Sequence, residues 1–381
     1  MPDSGGATTR GAHLSLETGE PISFGYGFVS GLLSAILGIG ALGVVLCLHF
    51  PEYLTHARLR QLYALDSLPA IIYAMLIGSF LLGSASALLR ANKTLAIVGL
   101  GCTLAAILFG VSPPAAVNRA GRSWLGLDFF VLNLVLYSAV FVPLERLFAL
   151  RRDQPVFRRQ WVVDLTYFFL NSLLIEVLTV LTLKPAFVLF GWARVGWVGE
   201  AIASLPLGVQ VPALLLVADF TQYWVHRVFH TVPFLWPFHA IHHSIEEMDW
   251  LAGSRLHLLD AILTRGFTYV PIFVLGFSER ALMVYVFIVA GQATFIHANV
   301  RWQFRPLRRL VATPAFHHWH HSSEADAVDK NFAVHTPLWD ILFGTYYVPE
   351  RWPASYGLVG GRSVPRRWTT QLLYPFSGRA R

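Results

Sequence analysis

Histidines at helical spacing are the residues of this sequence whose chemistry is easiest to interpret. They occur in three groups, which read HRVFH at 226–230, HAIHH at 239–243 and HHWHH at 317–321. Residues three or four positions apart project from the same face of a helix, so each group can present two or three imidazole nitrogens to one metal ion. Twelve of the fifteen histidines fall within 226–335, less than a third of the chain. This concentration of histidines indicates a metal-binding function.

The number of candidate ligands indicates more than one ion. A tetrahedral zinc site takes four ligands, whereas the three groups offer eight suitably spaced imidazoles, so the sequence predicts two metal ions. Ligation by nitrogen alone suits iron, zinc or copper. The other interpretation, ordinary polar residues at a membrane interface, fits a lone pair of histidines better than three groups. The candidate ligands are His226, His230, His239, His242, His243, His317, His320 and His321, with His297 in FIHANV as a ninth.

Carboxylates near the histidine groups are candidates for positioning the ligands. Asp219 lies seven residues before His226, about two helical turns, and therefore faces roughly the same way. A carboxylate that accepts the other ring N–H of a ligand histidine fixes its tautomer, so we predict this role for Asp219, with helix packing as the alternative. The sequence alone does not assign roles to His257, His318 and His335.

The composition predicts a membrane protein. Of the residues, 55% are hydrophobic and only 13% are charged, whereas soluble domains carry about 25% charged residues. The net charge of +7 resides in loops between apolar segments, which is typical of cytoplasmic membrane loops, so no nucleic-acid partner is expected. The two cysteines, Cys47 and Cys102, lie in apolar segments and form no CxxC pair, which excludes a disulfide framework or a cysteine-based metal site.

Long apolar segments indicate the fold class. A spanning helix needs roughly 20 apolar residues, and a shorter pair at 266–277 and 281–296 predicts a helical hairpin that either crosses the bilayer and returns or dips into it. We therefore expect an all-α, polytopic membrane bundle with a histidine-rich helical cap. The polar segment 1–21 is predicted to be a disordered tail. The longer candidate spans are 24–48, 63–89, 94–113, 126–144, 164–183 and 206–224.

Arginines predict the orientation of the bundle. The loop ERLFALRRDQPVFRRQW, between the fourth and fifth candidate spans, contains five of them. Loops rich in Lys and Arg lie on the cytoplasmic side. Counting crossings from this loop places all three histidine groups, and His297, on the same cytoplasmic side.

The histidine groups and their flanks resemble the fatty acid hydroxylase/sterol desaturase superfamily of integral membrane oxygenases. The resemblance extends from ADFTQYWVHRVFH through HAIHH and HHWHH to WDILFGT, within about 206–350. The additional N-terminal spans resemble those of alkylglycerol monooxygenases, which are members with more spans than the four-span hydroxylases. Together, the composition, the apolar segments and the resemblance predict a tail at 1–21, N-terminal transmembrane helices at 22–150, a catalytic domain at 151–350 and a cytoplasmic C-terminal tail at 351–381.

The resemblance implies a non-haem centre of two iron ions, for which zinc can substitute, held by the eight histidines with His297 as an addition and Asp219 beside them. It further implies O2 as co-substrate and hydroxylation or desaturation of a lipid C–H bond. No flavin, haem or nicotinamide site is evident in the sequence, so electrons are expected from an external reductase or small electron carrier. The lipid class, the oligomeric state and the role of the first four spans stay open.

Two other classes of function compete with the oxygenase. A zinc pair could catalyse hydrolysis, but bridging carboxylates are expected at such sites and the histidine groups lack them. A metal-binding membrane transporter, or an electron carrier without oxygenase activity, is the non-enzymatic alternative. A transporter is expected to place polar groups near the bilayer midplane, and haem-binding histidines would lie within spans. These histidine groups lie at span ends or outside the spans.

Overall fold

In the computed structural model, residues 26–56, 59, 66–111, 126–361 and 363–377 are described. Throughout these ranges the regular structure is helical, with two isolated bridges but no strand, which confirms the predicted all-helical class. The predicted tail at 1–21 lies outside the described residues. The chain forms two compact units, Met1–Ser123 and Trp124–Arg381.

The described part of the N-terminal unit contains four helices that pack through small residues. A methyl group added at Gly38 would lie 2.5 Å from the carbonyl oxygen of Gly99, so the backbones of α1 and α4 are in close contact. Such close approach is typical of helices in lipid, where small side chains allow backbones to meet. The helices are α1 (Phe28–His49), α2 (Pro51–Leu54), α3 (Leu68–Leu89) and α4 (Thr94–Phe109).

The C-terminal unit contains the histidine groups. Its first helix, α5, covers most of the fourth predicted span and packs against α6. The contacts within the chain divide it between residues 123 and 124. The predicted domain boundary at 150 stays a prediction. The helices are α5 (Leu127–Leu147), α6 (Trp161–Leu173), α7 (Ile175–Phe190), α8 (Gly196–Ser204), α9 (Leu207–Thr231), α10 (Trp236–His243), α11 (Leu258–Leu275), α12 (Glu279–His297), α13 (Pro314–His320), α14 (Leu338–Leu342) and α15 (Trp368–Leu373).

Five of the described helices, α1, α3, α5, α11 and α12, are long and apolar enough to cross a membrane. A sixth span arises if α6 and α7, which meet at a bend of 57°, count as one crossing. The fifth predicted span is therefore broken, and both halves of the predicted hairpin are full-length helices. The predicted span 206–224 belongs to α9, which is not among the five because polar residues such as Asp219 and Gln222 interrupt its apolar sequence. These helices indicate an integral membrane protein.

Helix ends position the histidines. A left-handed Gly276 ends α11, with φ of 73°, and the hydroxyl of Ser278 caps α12 by accepting the N–H of Ala281. A short turn therefore joins α11 to α12, and His297 is the last residue of α12. Thr313 caps α13 in the same way as Ser278 caps α12.

Candidate metal centre

The structure brings all nine candidate histidines together in two adjacent groups. In each group, one ring nitrogen of every member lies within 4.8 Å of the others, and seven of the nine residues are buried. We call them the first group and the second group. The first group is His226, His230, His239, His243 and His320; the second group is His242, His297, His317 and His321.

The short helices α10 and α13 each contribute to both groups. In α10, His239 and His243 lie one turn apart and face the first group, while His242 faces the second group. In α13, His320 faces the first group, while His317 and His321, also four residues apart, face the second. The sequence motifs therefore do not correspond to one ion each, because each of these two helices lies between the two groups.

In five of the nine histidines, Nδ1 is held by a carbonyl or by a buried carboxylate oxygen, at 2.7 to 3.0 Å. A sixth, His230, lies 3.2 Å from the carboxylate of Asp329. Because these oxygens only accept hydrogen bonds, Nδ1 carries the proton and Nε2 carries a lone pair. The five pairs are His226 with Phe332 O, His239 with Asp260 Oδ2, His242 with Arg255 O, His297 with Ala293 O and His320 with Lys330 O.

The free lone pairs converge. Nε2 of His226 lies 2.9 Å from Nε2 of His239, and Nε2 of His242 lies 3.3 Å from Nε2 of His297. With the protons on Nδ1, neither atom of each pair can donate, so these contacts are not hydrogen bonds. Two nitrogens bound to one ion at the usual distance are about 3 Å apart. The spacing therefore fits two ligands of a shared cation.

Further nitrogens in both groups are buried without a hydrogen-bond partner within the described part of the chain. They are Nε2 of His230, His243 and His320, and Nδ1 of His317 and His321. A buried polar atom without a partner costs free energy, and a metal ion would satisfy the Nε2 atoms of the first group together. The donor set fits metal binding by nitrogen.

The site keeps its imidazoles neutral. Burial lowers the pKa of His320 to about 3, and burial together with the neighbouring imidazoles holds the pKa of His243 and His317 well below the usual value. A neutral imidazole is the form that binds a metal ion, so the ligands need not lose a proton near neutral pH.

A buried ionic network supports the second group. The carbonyl of Arg255 accepts the N–H of His242, while its guanidinium is paired with both oxygens of Asp164, at 2.5 and 3.0 Å. Arg158 bridges Asp164 and Asp249, at 2.6 and 2.7 Å. The two arginines and two carboxylates are buried, so the charges compensate one another and fix the segment between α10 and α11.

The structure corrects the predicted role of Asp219. Its carboxylate accepts the backbone N–H groups of Val334, His335 and Thr336, each at 2.8 Å, and does not meet a candidate ligand. The carboxylate that holds a site histidine is that of Asp260, at the start of α11. Asp219 instead anchors the segment whose Phe332 carbonyl orients His226, so its influence on the site is indirect.

The other three histidines of the window have structural contacts. Nδ1 of His257 caps α11 by accepting the N–H of Leu259. His318 contacts the hydroxyl of Tyr356 and the carbonyl of Ala298 through its two ring nitrogens. Nδ1 of His335 contacts the side-chain oxygen of Gln292. None of the three belongs to either group of the described residues.

Two cavities adjoin the site. One, of about 970 Å³, is lined by His230, His243 and His320 of the first group together with the glycine-containing segment 357–360. The other, of about 310 Å³, lies among α5, α6, α7, α9, α11 and α12, and Gly253 and Ala293 line it beside the second group. A methyl group at Gly253 would lie 2.8 Å from Nδ1 of His297, so only one residue separates this cavity from a candidate ligand.

Comparisons with known proteins match the region that contains the site. Residues 211–345 match the family model described as fatty acid hydroxylase. Ornithine lipid hydroxylase OlsE of Rhizobium tropici is 32% identical over 176 residues, which are 46% of this chain and 53% of that protein. Alkylglycerol monooxygenase of Homo sapiens is 32% identical over 144 residues, 38% of this chain and 32% of that protein.

A third relative is a putative Delta(7)-sterol-C5(6)-desaturase 2 of Arabidopsis thaliana, 26% identical over 145 residues, 37% of this chain and 49% of that protein. The chain thus spans about half the length, or less, of these relatives, and no solved structure matches it. The matches confirm the resemblance drawn from the histidine motifs. Residues 211–345 are therefore similar to the fatty acid hydroxylase domains of the fatty acid hydroxylase/sterol desaturase superfamily.

Proposed function

We propose that the chain is a membrane-bound, non-haem diiron oxygenase that hydroxylates a C–H bond of a lipid with O2 and electrons from an external donor. The observation that carries this proposal is the pair of histidine groups, in which Nε2 lone pairs converge while Nδ1 atoms are held by oxygens. The names of the relatives, which include a lipid hydroxylase and a monooxygenase, support a lipid substrate.

Each group would hold one iron ion, and the bound irons would activate O2, with electrons from the external donor, for oxidation of the C–H bond. The protein's own residues orient the histidine rings. The carbonyls of Phe332 and Lys330 and the carboxylate of Asp260 fix ring orientation and keep Nε2 available. The histidines of the second group are buried, which limits their contact with water, whereas the cavity of about 970 Å³ reaches His230, His243 and His320 of the first group. No side chain is assigned a proton-transfer step.

The donor set supports oxidation over hydrolysis. Both groups consist of histidines alone among the described residues, whereas a hydrolytic metal pair is expected to use bridging carboxylates. Zinc binds imidazole as readily as iron does, so an inactive zinc form is expected to arise during expression. Desaturation is a variant of the same chemistry, since one relative is named a desaturase, and product analysis separates the two.

We further propose that the site faces the cytoplasm and receives electrons there. This rests on the arginine-rich segment 146–159, which begins in the last turn of α5 and has the composition typical of cytoplasmic loops. Ser323, three residues after the end of α13, offers a position for a test. In the Ser323→Cys variant of a cysteine-free chain, a membrane-impermeant thiol reagent should label the introduced thiol only in inverted vesicles. Labelling in right-side-out vesicles would place the site on the opposite side.

The decisive experiment measures metal and product together. We expect full-length protein, purified in mild detergent from iron-supplied cells, to contain about two irons per chain. With a chemical reductant and 18O2, it should incorporate labelled oxygen into a membrane lipid. Protein that binds no iron, even after reconstitution with ferrous iron, would refute the proposal. Iron-loaded protein without O2 consumption would favour an electron carrier or a metal transporter.

A further inference from the structure

The cavity of about 310 Å³ is lined by several polar side chains, although it lies among apolar helices. It is lined by residues of α5, α6, α7, α9, α11 and α12, and three of these helices, α5, α11 and α12, are candidate membrane spans. Polar and ionisable residues inside a membrane are costly and usually serve a function. The polar side chains of interest here are Asn171, Gln222, Arg265 and Tyr285.

Arg265 is the cation of this cavity, and it has no hydrogen bond or ion pair with any residue of the described part of the chain. It lies in α11, seven residues after the helix begins. Arg158 and Arg255, by contrast, are buried in direct contact with Asp164. An unpaired guanidinium within a membrane-spanning helix is unfavourable, and an anion bound beside it would offset this cost. The cavity provides the space for such an anion.

The remaining polar groups suit a lipid headgroup. The side-chain oxygen of Asn171 is buried without a partner and can accept a hydrogen bond from a hydroxyl or an ammonium group. The side-chain amide of Gln222 donates to the hydroxyl of Tyr285 at 3.3 Å, which leaves the hydroxyl proton of Tyr285 free to point to a ligand. Arg265 would bind an anion, and the neighbouring groups would bind uncharged parts of the same headgroup.

The anion site lies near the candidate metal centre. Arg265 follows Asp260, the partner of His239, by five residues of the same helix, which is roughly 8 Å along its axis. The carbonyl of Ala293, which lines the cavity, accepts the N–H of His297. An anionic group bound by Arg265 would therefore lie close to the place where a lipid is oxidised.

We propose that this cavity binds the lipid substrate and that Arg265 recognises an anionic group of it, a carboxylate or a phosphate. The proposal rests on the function proposed above and narrows its substrate class. It places the oxidised carbon close to the anionic headgroup, and it disfavours neutral lipids such as sterols and uncharged glycerol ethers.

The test compares lipids that share an acyl chain and differ in charge. Binding of oleic acid, dioleoyl phosphatidic acid and dioleoylglycerol to the iron-loaded full-length protein is measured in neutral detergent. We expect at least one of the two anionic lipids to bind about tenfold more tightly than dioleoylglycerol, because a charge-assisted hydrogen bond has about this effect. The stronger of the two anions identifies a carboxylate or a phosphate as the recognised group.

Variants assign the preference to Arg265. Arg265→Gln should bring the anionic and neutral lipids within about twofold of each other, whereas Arg265→Lys should retain part of the preference, since a point charge remains. The matched control is Arg280→Gln, which removes an exposed arginine at the start of α12 and should leave the preference unchanged. Thermal unfolding of each variant checks that it is folded.

Equal binding of all three lipids by the unmodified protein would overturn the anion site without the need for any variant. A preference that survives in folded Arg265→Gln would overturn the assignment to Arg265. Iron content and 18O incorporation, measured on the same preparations, test the proposed oxygenase activity independently of the proposed anion site. Active protein without anion preference refutes the anion site alone, and inactive protein with anion preference refutes the oxygenase alone.

Discussion

Buried hydroxyl groups of the N-terminal unit satisfy one another, whereas the candidate metal centre of the C-terminal unit contains ring nitrogens that do not. In the N-terminal unit, the hydroxyls of Ser34 and Ser79 donate to each other's backbone carbonyls at 2.7 and 2.8 Å, and Thr103 donates to Ser79 at 2.8 Å. In the C-terminal unit, ring nitrogens face each other with no proton between them, as in His226 and His239. Satisfied polar groups join helices, whereas converging unsatisfied groups indicate that a ligand binds.

The largest expected effect comes from removing a histidine of either group. His242→Ala and His320→Ala each remove one inward lone pair, so we expect at least about a hundredfold loss of activity, since even loss of a ligand's supporting partner costs 10–100-fold. Iron per chain should fall by at least one ion in each variant. His49→Ala in the N-terminal unit, where the ring contacts the carbonyl of Gly110, is the control and should change neither quantity. Full iron content in His242→Ala would exclude His242 as a ligand.

A second, smaller effect is expected from the carboxylate that orients a ligand. Asp260→Asn removes the charge beside Nδ1 of His239 but keeps the size of the side chain, so iron affinity should fall about 10–100-fold. Competition with a chelator measures this change. Thr264→Val is the matched control, because Thr264 donates to the other oxygen of Asp260 and its loss leaves the contact with His239 in place. Equal iron affinity in Asp260→Asn and the unmodified protein would show that Asp260 only packs there.

The three histidine motifs were recognisable from the sequence because the spacing within each motif is local. Histidines four residues apart in α10 and α13 face one way in any helix, and all nine candidates meet. The division of α10 between both groups depends on tertiary packing, which the motifs do not encode. The oxygens that hold Nδ1 belong mostly to backbone carbonyls, such as those of Phe332 and Ala293. Every residue has a carbonyl, so the sequence contains no signal for them.

The error at Asp219 has a similar cause. Its distance from His226 predicted the correct face of α9, but the segment 334–336 from elsewhere in the chain reaches that carboxylate. The predicted hairpin was too short for a related reason. The apolar segment at 266–277 omits the first turns of α11, where Asp260 and Arg265 lower the hydropathy. The two polar residues that lower the hydropathy of α11 are therefore also the ones that contact His239 and line the cavity, Asp260 and Arg265 respectively.

Asp219 provides a third prediction, which separates folding from metal binding within the C-terminal unit. Asp219→Asn can accept fewer of the three N–H groups of 334–336, so the free energy of unfolding should fall by about 1–3 kcal/mol. Iron affinity should fall less than in Asp260→Asn, because His226 loses only the anchoring of its neighbouring segment. Thermal unfolding and chelator competition on both variants measure this contrast. A greater loss of iron in Asp219→Asn would reverse the assigned roles.

The smallest expected effect lies in the N-terminal unit. Ser79→Ala removes a hydroxyl that donates to Ser34 and accepts from Thr103, so unfolding should become easier by about 1 kcal/mol. Iron content and hydroxylation should be unchanged, because no candidate ligand lies in this unit. Ser138→Ala in α5, whose hydroxyl bonds only to its own helix, is the matched control and should have a still smaller effect on stability. Loss of iron in Ser79→Ala would mean that the hydroxyl network of the N-terminal unit also supports the metal centre, and the two units would then share one function rather than dividing packing from chemistry.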